Sequence, residues 1–253
     1  MRERSLLITG ASRGIGAATA RLAASRGWDV AINYTRDETS AQAVAAEVRA
    51  LGRRAVLLRA DVADEAQVVA MFNTLDGLAP EQIAPLGGLV NNAGVVDVAA
   101  RVDEMSFARI QRMFAVNVFG TMVCAREAVR RLSTRHGGAG GAIVNLSSAA
   151  ARLGSPGQYV DYAAAKAAID TFTLGLAREV AAEGIRVNAV RPGIIVTDIH
   201  ASGGQPGRAA LLGPQVPMRR AGTADEVAQA IVWLLSDDAS YTTGSIVDVT
   251  GGR

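Results

Sequence analysis

The feature that most restricts what this chain can become is an alternation that runs its whole length, in which short apolar runs are each followed by a longer amphipathic stretch. The runs fall at residues 6–9, 29–34, 55–58, 88–91, 142–146, 185–190 and 245–249. Most are continuous rather than alternating in polarity, the pattern of parallel strands buried on both faces, and the stretches between them are long enough for crossover helices. The expected fold is α/β: a doubly wound (Rossmann) seven-stranded parallel sheet in three α/β/α layers. With 253 residues, 49% of them hydrophobic, one large core is feasible, and residues 1–253 are expected to form a single domain. The Gly-rich segment 136–141 is expected to be the turn between a long helix and the fifth strand. Residues 193–220, which carry Gly203, Gly204, Pro206, Gly207, Gly213, Pro214 and Pro217, are expected to form a mobile substrate loop before a helix that starts near Ala224.

The first strand runs into Thr9-Gly-Ala-Ser-Arg-Gly-Ile-Gly16, and a helical pattern over 17–26 follows. Glycines at such a strand–helix turn let backbone N–H groups approach a pyrophosphate, so Gly10, Ser12, Arg13, Gly14, Ile15 and Gly16 are cofactor-binding candidates. An NAD site would place a carboxylate at the end of the second strand to take the ribose hydroxyls. That end reads Tyr34-Thr35-Arg36, and Arg36 with Arg13 can meet a 2′-phosphate instead, which favours NADP(H) over NAD(H). Asp61 and Val62 close the third strand, where they would lie beside the adenine. Asp61 has an alternative reading as the N-cap of a helix over 64–75.

Of the 26 basic side chains, 25 are arginine and one, Lys166, is lysine. Most exposed sites accept either cation, so the exception needs a reason. A compact ammonium with a movable pKa can do what a permanently charged, planar guanidinium cannot. Lys166 stands four residues after Tyr162 in a helical stretch reaching about Glu183, which puts both side chains on one face. A phenol is a poor acid–base at neutrality, and a nearby cation is expected to lower its pKa and bring proton exchange within reach.

These motifs stand in a fixed order: Thr9-Gly-x-x-x-Gly-x-Gly16, Asn91-Asn-Ala-Gly94, Asn117 in mid-helix, Ser147-Ser148, Tyr162-x-x-x-Lys166 and Pro192-Gly193. In that order the chain resembles, over essentially its full length, the classical short-chain dehydrogenase/reductase family. The resemblance implies Tyr162 as acid–base, Lys166 on the nicotinamide ribose, Ser148 on the substrate oxygen, and Asn117 holding a water that links Lys166 to solvent. It also implies that Asn91, Asn92, Ala93 and Gly94 support the central sheet and line the cofactor, that Pro192, Gly193 and Ile195 bind the cofactor, and that Thr197 contacts its carboxamide. A homotetramer built on the helices containing Asn117 and Tyr162 is implied as well. The chain departs from the pattern in three places. Ser148 to Tyr162 is one residue longer than usual, which puts an extra residue in the loop 153–159 and leaves Ser147 as the lesser candidate. Gly88 replaces a frequent acidic residue, and Tyr159 has Ala163 rather than a lysine four residues on, so Tyr159 reads as a substrate-side wall.

The implied activity is transfer of a hydride between nicotinamide and a ketone, aldehyde or secondary alcohol. The substrate is left open between a sugar-type alcohol and a 3-oxoacyl carrier substrate, with walls expected from 95–98, 149–159, Ile194 and the loop to His200, which reads as a substrate contact or a solvated loop residue. An idle NADP(H)-binding regulator is the alternative from another class. Nucleic-acid binding is not expected, because 26 basic against 24 acidic side chains leave only +2 and the arginine pairs at 53–54, 130–131 and 219–220 are scattered. No run approaches the ~20 apolar residues of a membrane span, and no signal segment is expected, so the protein reads as cytoplasmic. Two histidines and the lone Cys124, read as buried filler, give no expected metal site.

Overall fold

A computed structural model describes residues 3–253, apart from the side chain of His200. Seven strands form one sheet: β1 (Ser5–Ile8), β2 (Asp29–Tyr34), β3 (Ala55–Arg59), β4 (Leu86–Asn91), β5 (Gly141–Leu146), β6 (Ile185–Pro192) and β7 (Ile246–Val249). All pairings are parallel, in the order β3-β2-β1-β4-β5-β6-β7. Each apolar run of the sequence is a strand; β1 and β2 are buried end to end, and β4 and β5 at all but their first residue. Successive side chains point to opposite faces, so Leu6 and Ile8 enter one core and Leu7 the other.

The helices are α1 (Gly14–Ser25), α2 (Glu38–Ala50), α3 (Glu65–Asp76), α4 (Phe107–Phe114), α5 (Thr121–Leu132), α6 (Ala150–Leu153), α7 (Val160–Val180), α8 (Ile199–Ser202), α9 (Arg208–Leu212) and α10 (Ala224–Leu235). The apolar sides of α1, α2 and α10 cover one face of the sheet, and those of α3, α5 and α7 cover the other. Cys124 on α5 is buried in the second core, and burial pushes its thiol up to about 12, as inert filler should be. The segment expected as one loop over 193–220 carries α8, α9 and a 3₁₀ turn at Gly213–Gln215. Among the described residues no helix is long and apolar enough to cross a membrane.

Strand order reverses direction between β1 and β4, so the loops leaving their C-terminal ends part and open a crevice there. Every motif singled out in the sequence, Asn117 excepted, follows a strand or opens the helix beyond it. The topology therefore gathers segments more than 180 residues apart along that one edge.

Candidate active site

A cleft of about 640 Å³ occupies the crevice. At one end lies the glycine turn. Gly10 and Gly14 have φ of +61° and +55°, which L side chains rarely adopt, and a Cβ on Gly10 would come within 3.0 Å of the Ala93 Cα. No side chain caps the N-terminus of α1 and its first turn holds no acidic residue, which leaves backbone N–H groups free for an anion. The turn is held from below by the side-chain amides of Asn33 and Asn92. Asn33 Oδ1 accepts from the Gly10 N–H at 3.1 Å while its Nδ2 donates to the Leu58 and Ala60 carbonyls. Asn92 Nδ2 donates to the carbonyls of Thr9 and Gly10, both at 2.9 Å. Gly16 lies under the turn rather than in the cleft: a Cβ there would meet Asn92 Nδ2 at 2.6 Å.

Tyr34, Thr35, Arg36, Asp61 and Val62 line the same end, as does Arg13. Asp61 is not the helix cap. Asp64 takes that role, accepting from the Gln67 N–H at 3.2 Å, while Asp61 Oδ1 accepts from the Ala63 N–H. The structure corrects one expectation about this end, because Asp37, just past Arg36, puts a carboxylate at the cleft. Its oxygens accept from the N–H and hydroxyl of Ser40 as the N-cap of α2. Those bonds, with a smaller share from Arg13, hold its carboxyl below the usual range.

At the other end Ser148, Tyr162 and Lys166 share the wall with Asn92, Ala93, Gly94, Pro192, Gly193, Ile195 and Thr197. Ser148 and Ser147 separate by role: Ser147 Oγ is buried and donates to the Lys166 carbonyl at 3.1 Å, whereas the Ser148 hydroxyl stands beside Tyr162. The Lys166 Nζ is buried, donates to the Leu146 carbonyl at 2.7 Å and lies 5.6 Å from the centre of the Tyr162 ring. Burial draws its pKa down to about 8, partly offset by Asp170 one turn on. The expected lowering of the tyrosine pKa is not what the structure gives. Burial of the ring dominates, the Ser148 hydroxyl offsets it only in part, and the phenol is pushed up to about 12. At neutral pH the pair is thus a phenol beside an ammonium.

Asn117 sits in a π-helical turn (Ala115–Gly120) between α4 and α5 and does not line the cleft. Its Oδ1 accepts from the Val95 N–H at 3.2 Å, and its Nδ2 donates to the Val95 and Met113 carbonyls, both at 3.0 Å. A Cβ on Gly94 would fall 2.9 Å from Asn117 Oδ1 and 3.6 Å from Lys166 Nζ. Gly94→Ala is therefore expected to destabilise the fold by about 1–3 kcal/mol. It should also depress turnover, and thermal unfolding with steady-state rates checks both effects.

Several lining residues carried no motif: Asp37, Arg112, Val116, Asp198, Ile199, Ser202, Arg208 and Arg253. Of the expected walls, Val95, Val96, Ala149, Ala150, Leu153, Ser155, Tyr159 and Ile194 line the cleft, Asp97, Val98, Ala151, Arg152, Gly154 and residues 156–158 do not, and the side chain of His200 lies outside the described residues. An ion-pair chain that runs from buried Asp170 out to the surface also went unread. Asp170 Oδ2 accepts from Nε and Nη2 of Arg191 at 2.9 and 2.8 Å, and Arg191 reaches Asp248, which pairs with Arg152. It ties the helix carrying Lys166 to the strand end just before Pro192-Gly193. Among the described residues no cluster of His, Cys, Asp and Glu is arranged to hold a metal.

Residues 10–253 match the family model described as enoyl-(acyl carrier protein) reductase. The chain is 55% identical to the uncharacterized oxidoreductase YgfF of Escherichia coli, with 98% of each chain covered. It is 36% identical to the 3-oxoacyl-[acyl-carrier-protein] reductase FabG of Staphylococcus aureus, covering 98% of this chain and 97% of that one. A short-chain dehydrogenase from Burkholderia cenocepacia, solved in complex with NADP, superposes with a TM-score of 0.88 at 34% identity, over 99% of this chain and 98% of that one. The chain belongs to the classical short-chain dehydrogenase/reductase family. It is an oxidoreductase of that type.

Proposed function

We propose that this protein is an NADP(H)-dependent oxidoreductase that interconverts a ketone or aldehyde with its alcohol, with Tyr162 as the acid–base. The observation that carries the reading is one cleft with a glycine turn, an uncapped helix N-terminus and, at that end, Arg13 and Arg36 without an ion pair among the described residues, and with Ser148, Tyr162 and Lys166 at the other end. The bound cofactor would be held by the turn, by Asn92 to Gly94 and by Pro192 to Thr197, and it supplies or accepts the hydride. Ser148 and Tyr162 donate hydrogen bonds to the substrate oxygen. Tyr162 then gives up its proton as charge develops there, a favourable transfer because an alkoxide is a far stronger base than a phenolate. Lys166 keeps an ammonium beside the phenolate that forms. For Asn117 the proposed part is to fix Val95 and Gly94 against Lys166 and to hold the water that links Lys166 to solvent.

The preference for NADP(H) rests on Arg13 and Arg36, neither of which forms an ion pair among the described residues, and on Asp37, whose oxygens are already engaged by Ser40. Arg36→Ala is expected to weaken NADPH binding about 10-fold or more through the lost charge-assisted hydrogen bonds, with little effect on NADH. Equal losses for the two cofactors in a fluorescence titration would remove that assignment. NADPH oxidation over a panel of carbonyls tests the activity itself: binding without turnover on any of them would favour an idle regulator. A homotetramer belongs to the same proposal, supported by exposed Phe119 next to α5 and Leu174 on α7.

A further inference from the structure

We infer that the substrate carries a carboxylate and that Arg208 receives it. This names the substrate class for the cleft and rests on its reading as a carbonyl-reducing site. Arg208 opens α9 and lines the cleft with Ser148, Tyr159 and Tyr162, far along the chain from all three. Its guanidinium carbon lies 5.2 Å from the centre of the Tyr159 ring, and Tyr159 is buried immediately before α7, three residues ahead of Tyr162. Two of its nitrogens are tethered: Nη1 donates to Gln205 Oε1 at 2.6 Å and Nη2 to Gln158 Oε1 at 2.8 Å.

Both tethers are neutral amides. They fix the guanidinium plane without cancelling its charge, and among the described residues no carboxylate lies within ion-pairing distance of it. The other half-buried arginines near the site are matched: Arg109 pairs with Asp161 at 2.8 Å and Arg191 with Asp170 at 2.8 Å. Asp198, the carboxylate on this part of the wall, forms no ion pair with Arg208. A guanidinium held rigid over an aromatic face, with N–H donors left over and its full charge at a cleft, suits bidentate capture of a carboxylate. Arg13 and Arg36 already serve the β2 end, so Arg208 is not needed for a cofactor phosphate. The remaining wall includes Ala149, Ala150, Leu153, Ile194 and Ile199, which suits an apolar body between the reacting carbon and the acid. The fitting class is an oxo acid, reduced to its hydroxy acid, rather than a neutral sugar or thioester.

The test compares linear and cyclic oxo acids of graded length with the methyl ester of each, on wild type, Arg208→Gln and Arg208→Lys with NADPH. For at least one pair the wild type should favour the acid in kcat/KM by about 10-fold or more, and Arg208→Gln should cut that acid-to-ester ratio about 100-fold, mainly through KM for the acid. Arg208→Lys should recover part of the ratio, because the charge remains and the fork does not. A parallel calorimetric titration of the hydroxy acid and its ester onto the NADP⁺-loaded protein reads binding without turnover. Arg208-dependent binding of the acid with no carbonyl reduced would sustain the anion site and remove the carbonyl-reduction reading. Turnover with no preference for acids, or a ratio unchanged in Arg208→Gln, overturns the inference and leaves Arg208 as a strut that holds α9 to Tyr159.

Discussion

Replacing Lys166 by arginine is expected to lower kcat by roughly 100-fold or more in both directions, although the charge is conserved. The chain uses arginine at 25 of its 26 basic positions, so tolerance of arginine elsewhere is not in question. At position 166 the ammonium is buried, donates to the Leu146 carbonyl at 2.7 Å and lies against both the Tyr162 ring and the space under Gly94. A guanidinium is larger, planar and cannot approach end-on, so it must displace one of those neighbours. The pH profile supplies a second readout. Burial lowers the lysine to about 8, so the ammonium is present below that pH and lost above it. Reduction by the wild type should therefore decline as pH rises through about 8, and this limb should vanish in Lys166→Arg, whose side chain stays charged. Full activity in the variant, or an unchanged alkaline limb, would remove Lys166 from the proposed chemistry.

Tyr162→Phe should be the more severe change, with turnover reduced by roughly 1,000-fold or to background, equivalent to about 4 kcal/mol of barrier. The ring keeps its place in the wall, so NADPH binding should survive. What disappears is the proposed proton donor. Burial holds the phenol up to about 12, so Tyr162 enters the reduction fully protonated at neutrality, and no other phenol is placed to substitute. Tyr159 lines the same cleft, but its ring is covered by Arg208 and it has no lysine one turn on. Stopped-flow measurement of NADPH oxidation, together with a fluorescence titration of NADPH, separates lost chemistry from lost binding. Turnover near the wild-type rate would assign the acid–base role elsewhere.

Below Lys166, the carboxylate of Asp170 offsets part of the burial that draws the ammonium down. Its Oδ2 is held by Arg191 while its Oδ1 is buried with no hydrogen-bond partner among the described residues. The lysine thus stands between two influences of opposite sign, desolvation and a nearby anion. Neither comes from Tyr162.

Strand runs, the glycine turn and the Tyr–Lys spacing were legible in the sequence because each is a local pattern. A parallel strand must be apolar on both faces, a turn with positive φ needs glycine, and i, i+4 residues share a helical face whatever surrounds them. Those patterns marked the seven strands, the glycine turn and the Tyr162–Lys166 pair, while Ser148, Asn92 to Gly94, Pro192, Gly193, Ile195 and Thr197 were named through the family resemblance. Arg208 meeting Tyr159, the Asp170–Arg191 pair and the placement of Asn117 under Gly94 were decided only by tertiary structure. So was the direction of the tyrosine pKa, where the sequence suggested a cation lowering it and burial raised it instead. The physical reason is that burial and charge pairing are set by neighbours in space, and here the deciding neighbours stand tens of residues apart along the chain.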